Sequence, residues 1–301
     1  MLAGSVFFLL WTCSVFGSPG DDTGGVVFSL IWKGAAVETS KAPPEREPTL
    51  RTVSRDFLAD AGQIWSYPAH IQSRDLLPIF ALGTAIAVLI PNDERIYGGF
   101  RTFRDNHAWV RHLSPLVTQM GFIGGIAAMG AFLGVGLLGR DHHAFETAML
   151  SASAVLQSSL VAQFLQGLSG RQCPRWDDGM DHWAGPVAFF KRHERGEGFH
   201  YGAFPSGHTS AAFSLATVIA MEYGEHLWVP IAVYTVAAGV GLSRLTEDEH
   251  WLSDVLVGAV LGHVIARLVV RNHKRRHHAQ PSVAFGPGGL TVAINWGHNI
   301  N

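Results

Sequence analysis

Charge is scarce in this sequence. Of its 301 residues, 15% are charged and 48% are hydrophobic, and the mean hydropathy is +0.18. That balance argues against an ordinary water-soluble enzyme and predicts a chain with several lipid-facing helices, organised as one large domain. A basic surface is also missing. The formal net charge of −2 gives no global positive field to attract nucleic acid, so nucleic-acid binding is excluded as a function class. Cysteine is nearly absent. Cys13 and Cys173 are the two, and Cys13 lies in an apolar N-terminal run that reads as removable, which leaves Cys173 unpaired and argues against a structural disulfide. No metal-binding pattern is present either. His142-His143 and His277-His278 are adjacent pairs that point to different sides of a helix, so no metal and no cofactor are expected.

Four segments follow from the pattern along the chain. Residues 1–18 read as a signal sequence, with Val6 to Leu10 apolar and Val15, Gly17 and Ser18 resembling a cleavage site, or alternatively as an uncut anchor. Residues 19–75 form a lead-in without sustained period from Gly20 to about Pro48. It is followed by an amphipathic helix, capped by Ser54, whose apolar stripe is Val53, Phe57, Leu58, Ala61, Ile64 and Trp65. Such a stripe lies on a bilayer or, more commonly, packs on a core. Residues 76–272 hold five or six apolar stretches, at roughly 76–90, 114–138, 145–169, 208–223, 227–243 and 251–270. Several reach the roughly 20 residues needed to cross a bilayer. Glycines such as Gly121, Gly125 and Gly136 would allow close approach of membrane helices. Residues 273–301 are a basic tail in which Ser282 to Trp296 alternates around Gly286 to Gly289 and predicts a small hairpin.

The basic run Arg271, Lys274, Arg275 and Arg276 predicts a cytoplasmic end for the last stretch, which turns the loops near 171–207 and 244–250 outward. With a cleaved signal this count requires that residues 76–90, flanked by Pro78 and Pro91, do not span. It also leaves Arg95, Arg101, Arg104 and Arg111 outside, against the charge rule. The expected location is a bacterial cell membrane with the outward loops facing the periplasm or exterior, the alternative being a periplasmic protein.

Two clusters carry chemistry. Phe204-Pro205-Ser206-Gly207-His208 stands directly before an apolar helix, so the Ser206 hydroxyl and nearby backbone N–H groups form either an anion site or a plain N-cap turn. Ser243-Arg244 closes one apolar stretch, and His250 with Asp254 opens the next. Four residues apart on one helical face, Asp254 can hold one imidazole nitrogen and leave the other free to attack. Arg244 offers a planar fork of donors to a phosphate.

Together with Gly170-Arg171-Gln172-Cys173-Pro174, these clusters resemble the type 2 phosphatidic acid phosphatase superfamily, which includes bacterial acid phosphatases and vanadium haloperoxidases. The family's second motif, Pro-Ser-Gly-His, is matched at every position by Pro205 to His208. Its third, Ser-Arg, five residues, His, three residues, Asp, is matched by Ser243, Arg244, His250 and Asp254. The first, Lys, six residues, Arg-Pro, is matched only at Pro174, with Gln166 and Cys173 standing where the cations belong. Arg171 or Arg175 is expected to replace them, with Lys191, Arg192 and Arg195 as further candidates. The resemblance covers roughly residues 114–270.

What the resemblance implies is an all-α bundle with several transmembrane helices and a metal-independent phosphatase acting through a phosphohistidine. In it His250 attacks phosphorus, Asp254 stabilises the imidazolium, His208 protonates the leaving alcohol, and Arg171, Arg244, Ser206 and the backbone at Gly207 hold the phosphate. His182, His193 and His200 read as loop residues. Trp176, Trp183, Phe189 and Phe190 in the same loop suit a lid at the membrane interface over a lipid phosphate such as phosphatidate or a polyprenyl pyrophosphate. The rivals are a broad-specificity periplasmic acid phosphatase, a vanadate-dependent haloperoxidase and a non-catalytic membrane scaffold.

Overall fold

The computed structural model describes residues 10–16, 24–31, 50–176, 183–186, 201–277, 280–286 and 289–296. The chain divides into two compact units, Met1–Asp56 with Arg271–Asn301, and Phe57–Val270.

In the first unit β1 (Leu10–Phe16), β2 (Gly24–Ile31), β3 (Gln280–Gly286) and β4 (Gly289–Trp296) form an antiparallel sheet in the order β1-β2-β4-β3. Part of the segment read as a signal sequence is therefore strand β1, and the lead-in contains β2. Local composition accounts for the second difference. Val26, Val27, Phe28 and Ile31 are β-branched or aromatic residues that suit a pleated surface, even though no strict alternation announces them.

The second unit is a helical bundle. It opens with α1 (Leu50–Ser66), which crosses from the first unit into the second. Ser54 lies inside α1 and is not its cap, because nothing between Pro48 and Ser54 breaks the helix. Part of the expected apolar stripe meets the core, while Leu58 stays exposed. Ile64 packs on Leu150, Ala154, Val218 and Ile265, and Trp65 stands edge-on to Phe164 at 5.0 Å.

Next come α2 (Ser73–Leu89) and α3 (Asp93–Asn106), joined by a short turn through Pro91. Pro78 is accommodated inside α2, whereas Pro91 falls in the turn that follows it. The remaining α-helices among the described residues are α4 (Ala108–Leu138), α5 (His142–Ser169), α6 (Gly207–Glu222), α7 (Trp228–Thr246) and α8 (Leu252–His277). Among the described residues, five segments are long and apolar enough to cross a membrane: Ser73–Asn106, α4, α5, α7 and α8. Leu77, Phe80, Phe122, Leu138 and Trp228 are each more than half exposed, as expected of surfaces that meet lipid.

Small and hydroxylated residues fill the centre. The Ser214 hydroxyl of α6 lies 2.8 Å from that of Ser158 in α5 and 3.0 Å from the Gly262 carbonyl of α8. Where lipid tails are as apolar as leucine, such contacts and close backbone approach hold helices together. Gly258 and Gly262 make that approach possible. A Cβ on Gly258 would sit 2.5 Å from the Ser206 carbonyl, and one on Gly262 would sit 2.1 Å from that of Ser210. Gly262→Ala is expected to destabilise the bundle by about 1–3 kcal/mol through overpacking, read as a lower unfolding temperature in detergent. Gly130→Ala, with nothing within 4 Å of the added atom, should be neutral or mildly stabilising.

Candidate active site

The start of α6 is a capped helix N-terminus. Ser206 has extended backbone, and its hydroxyl accepts from the Thr209 amide at 3.5 Å and the Thr209 hydroxyl at 2.9 Å. Fully buried, Ser206 does not border the cavity. The N-cap reading thus describes its side chain, while Gly207 and His208 carry the helix terminus into the open space. Two bonds hold this turn against α5, from Gln166 Nε2 to the Pro205 carbonyl at 2.8 Å and from the Ser169 hydroxyl to the Phe204 carbonyl at 2.8 Å.

Gly207, His208, Arg244 and His250 all border one cavity of about 520 Å³. Residues 42 positions apart in sequence thus face a common space. Phe122, Ile126 and Met129 of α4, Val155 of α5 and Leu215 of α6 make an apolar wall on the same cavity. Gln166 and Cys173, which occupy the first-motif cation positions, also line it, together with Glu249.

His250 is held by backbone. Its Nδ1 lies 2.7 Å from the Ala203 carbonyl oxygen. A carbonyl can only accept, so Nδ1 carries a proton, and the neutral form of the ring has its lone pair on Nε2. The expectation that Asp254 would bond the ring is corrected in detail. Its Oδ2 is 3.8 Å from Nδ1 and accepts instead from the Trp251 amide at 2.8 Å. Asp254 is fully buried, so it acts on the imidazole by its field across that gap while Ala203 fixes the tautomer.

Arg244 is 6% exposed. One guanidinium nitrogen, Nη1, donates to the Glu247 carboxylate at 2.6 Å and the Thr118 hydroxyl at 3.1 Å. Its Nε is buried without a hydrogen-bond partner, and because the residue borders the cavity its guanidinium charge favours an anion there.

Arg171 is elsewhere. Gly170 closes α5 in the left-handed conformation at φ 54°, and the next residue is turned into the protein. Completely buried, Arg171 donates from Nη1 to Asp254 Oδ1 at 2.6 Å and the Ser253 hydroxyl at 2.6 Å, and from Nη2 to Asp93 Oδ2 at 2.8 Å. It does not border the cavity, so the phosphate-holding role expected of it is not what the geometry provides. Arg175 is also committed, with Nη2 2.5 Å from the Glu249 carboxylate. Among the described residues Arg244 is the one arginine or lysine lining the cavity. Burial, and next the Glu249 carboxylate, push the Cys173 thiol up to about 12, so it stays protonated and replaces no cation.

Trp176 and Trp183 are exposed, and the Trp183 ring is 5.4 Å from Phe204. His182, Phe189, Phe190, Lys191, Arg192, His193, Arg195 and His200 lie outside the described residues. Sequence reasoning missed Ala203, a backbone acceptor with no side-chain signal, and Asp93, buried at the start of α3. One further donor group stands in the first unit, where Asp56, His273 and His277 place ligand atoms within 4.8 Å of one another. There His277 hydrogen-bonds Asp56 at 2.5 Å, and the side chains of Arg55 and Arg276 lie 3.3 and 3.6 Å from the same carboxylate. Those cations oppose a metal ion.

His208 lies in α6, outside the five candidate spans. Surrounded by protein yet open to the cavity, its ring is pushed down to about 4 by burial, then by Arg244 and His250. Its ring is therefore neutral at pH 7. A bound anion reverses that field, so binding takes up a proton wherever the pH lies between the free and bound values. Sulfate is a clean probe, because its charge is constant from about pH 5 to 8. Its affinity should fall as pH rises, with proton uptake measurable by calorimetry and abolished in His208→Asn. Sulfate binding independent of pH would contradict this electrostatic picture.

Residues 147–278 match the family model described as the PAP2 superfamily. Over 75 residues, 25% of this chain and 17% of the relative, the sequence is 44% identical to the lipid A 1-phosphatase of Porphyromonas gingivalis. Over 81 residues, 23% of this chain and 29% of the relative, it is 35% identical to a probable diacylglycerol pyrophosphate phosphatase of Schizosaccharomyces pombe. The chain thus spans less than a third of the length of either curated relative. Among solved structures, LpxE of Aquifex aeolicus aligns over 60% of this chain and 94% of its own, with TM-score 0.46 and 18% identity. A transmembrane PAP2-type phosphatidylglycerolphosphate phosphatase from Bacillus subtilis aligns over 73% of this chain and 93% of its own, with TM-score 0.43 and 18% identity.

Proposed function

We propose that this chain, of which residues 147–278 match the PAP2 superfamily model, is a membrane phosphatase that hydrolyses lipid phosphate monoesters through a phosphohistidine on His250. The observation that carries this reading is the single cavity on which His208, Arg244 and His250 meet beside an apolar wall.

In the proposed reaction His250 Nε2 forms a bond to phosphorus as the bond from phosphorus to the alcohol oxygen breaks. His208 gives its proton to the leaving oxygen. Water then attacks phosphorus, passing a proton back to His208, and the P–N bond breaks to release inorganic phosphate. Arg244 and the backbone at Gly207 compensate charge on the non-bridging oxygens. Asp254, 3.8 Å from the ring, stabilises the imidazolium that carries the phosphoryl group. No step is assigned to a metal ion.

A lipid substrate is supported by the apolar wall. Phe122 and Ile126 border the cavity and are also 62% and 54% exposed, so the cavity opens towards the outer face of α4, where acyl chains would lie. Two relatives whose names specify lipid phosphates, lipid A and diacylglycerol pyrophosphate, agree with this class. An outer-side location in a bacterial membrane is supported by α8, which starts beside His250 and ends in Lys274, Arg275 and Arg276, a basic end that favours the cytoplasmic side.

Purified protein in detergent should release phosphate from phosphatidate or a lipid A 1-phosphate without loss in EDTA. His250→Ala should lower the rate by at least about 10³-fold. Gly125→Ile, which adds bulk 3.4 Å from the Leu215 side chain, should raise KM for long-chain lipids while sparing a small water-soluble monoester. Equal phosphate release by wild type and His250→Ala would overturn the mechanism, and equal KM changes on both substrates would overturn the lipid assignment.

A further inference from the structure

We propose that Asp93 is a positioning residue for this reaction, holding Asp254, and through it the charge balance at His250, by way of Arg171 and Ser253. The proposal rests on the functional reading above for its kinetic consequence, and on geometry alone for its electrostatic one.

Asp93 is the first residue of α3 and is 1% exposed. A buried carboxylate is stable only when its oxygens are satisfied by charge or hydrogen bonds. Here Oδ1 accepts from the Ser253 amide at 3.1 Å. Oδ2 accepts from Arg171 Nη2 at 2.8 Å and from the Ser253 hydroxyl at 2.5 Å. The Ser253 hydroxyl has one proton, given to Asp93, and so it accepts from Arg171 Nη1 at 2.6 Å. That same nitrogen donates to Asp254 Oδ1 at 2.6 Å. The Arg171 guanidinium is also bracketed by aromatic rings, 4.8 Å from Trp183 and 5.3 Å from Trp251. Three separate parts of the chain, α3, the turn after α5 and the start of α8, are thereby fastened at one buried point.

The charges matter as much as the positions. Two carboxylates share one guanidinium, which leaves a net negative charge behind the imidazole. That sign favours the cationic ring formed when His250 takes the phosphoryl group. With Asp93 neutralised, Arg171 would be left to Asp254 and would cancel its field at His250. The other groups that face His250 are Cys173 after α5, His208 on α6, Arg244 on α7 and Glu249 in the adjoining loop. None of them touches Asp93 in the network described, so their contributions are common to wild type and variant.

Asp93→Asn keeps shape and removes charge. It is expected to lower kcat by between about 10- and 100-fold with KM changed less than about 3-fold, because Asp93 does not border the cavity. Combined with Asp254→Asn it should cost little more than Asp254→Asn alone, since both act through one unit. Independently of turnover, the His250 ring signal of histidine-labelled protein, identified by its loss in His250→Asn, should titrate at lower pH in Asp93→Asn than in wild type. A folded Asp93→Asn with wild-type kcat, or with the His250 titration unmoved, would overturn the proposal. If wild type releases no phosphate, the functional reading fails and the ring titration still decides this one. If Asp93→Asn does not fold, Ser253→Ala decides: a fall in kcat of about 3- to 10-fold, the worth of one hydrogen bond, supports the network, and an unchanged kcat and His250 titration refutes it.

Discussion

One backbone hydrogen bond, from the Ser206 amide to the Asp254 carbonyl at 3.0 Å, joins the starts of α6 and α8. The site's geometry depends on it. It brings the helix terminus that carries Gly207 and His208 next to the one that follows His250, and it forms because Gly258 presents no side chain to the Ser206 carbonyl. The same contact continues at Gly262 against Ser210. Packing between two helices and placement of two imidazoles are therefore one constraint, expressed at successive turns of α8.

Around that joint the protein separates charge into two layers. Outside the cavity, Asp93, Arg171 and Asp254 form a buried network that never meets the open space. At the cavity itself Arg244 is braced by Glu247 and Thr118 while its Nε stays unpaired. The outcome is a neutral His208, a proton fixed on His250 Nδ1 by a carbonyl, and an anion site of modest positive charge. Gln166 binds the Pro205 carbonyl, so a position that holds a cation in the family's first motif here supports the second motif's turn instead.

The helices and the essential cluster were legible in the sequence. Long apolar runs with few charges can only be satisfied as helices in lipid, and Arg244, His250 and Asp254 stand at fixed spacing around one interhelical loop. The direction of Arg171 was not legible, because a left-handed Gly170 turns the chain by an amount that spacing does not encode. Nor was Asp93, whose partners Arg171 and Ser253 are 78 and 160 residues away. Ala203 contributes only a carbonyl, which every residue possesses. Arg104, an apparent violation of the charge rule, pairs with Asp248 and donates to the Thr246 carbonyl, so its position is set by a local partner. Alternation from Ser282 to Trp296 made β3 and β4 legible as a hairpin, whereas β1 and β2 carry no regular alternation to announce them.

The account stands on covalent chemistry at one nitrogen. The direct measurement is rapid acid-free quenching of the protein with a lipid substrate labelled in its phosphate, followed by mapping of the labelled residue. Base-stable, acid-labile label on His250 Nε2, formed and lost fast enough for turnover, is the predicted result. Turnover without a labelled protein, or label on any other residue, would contradict it.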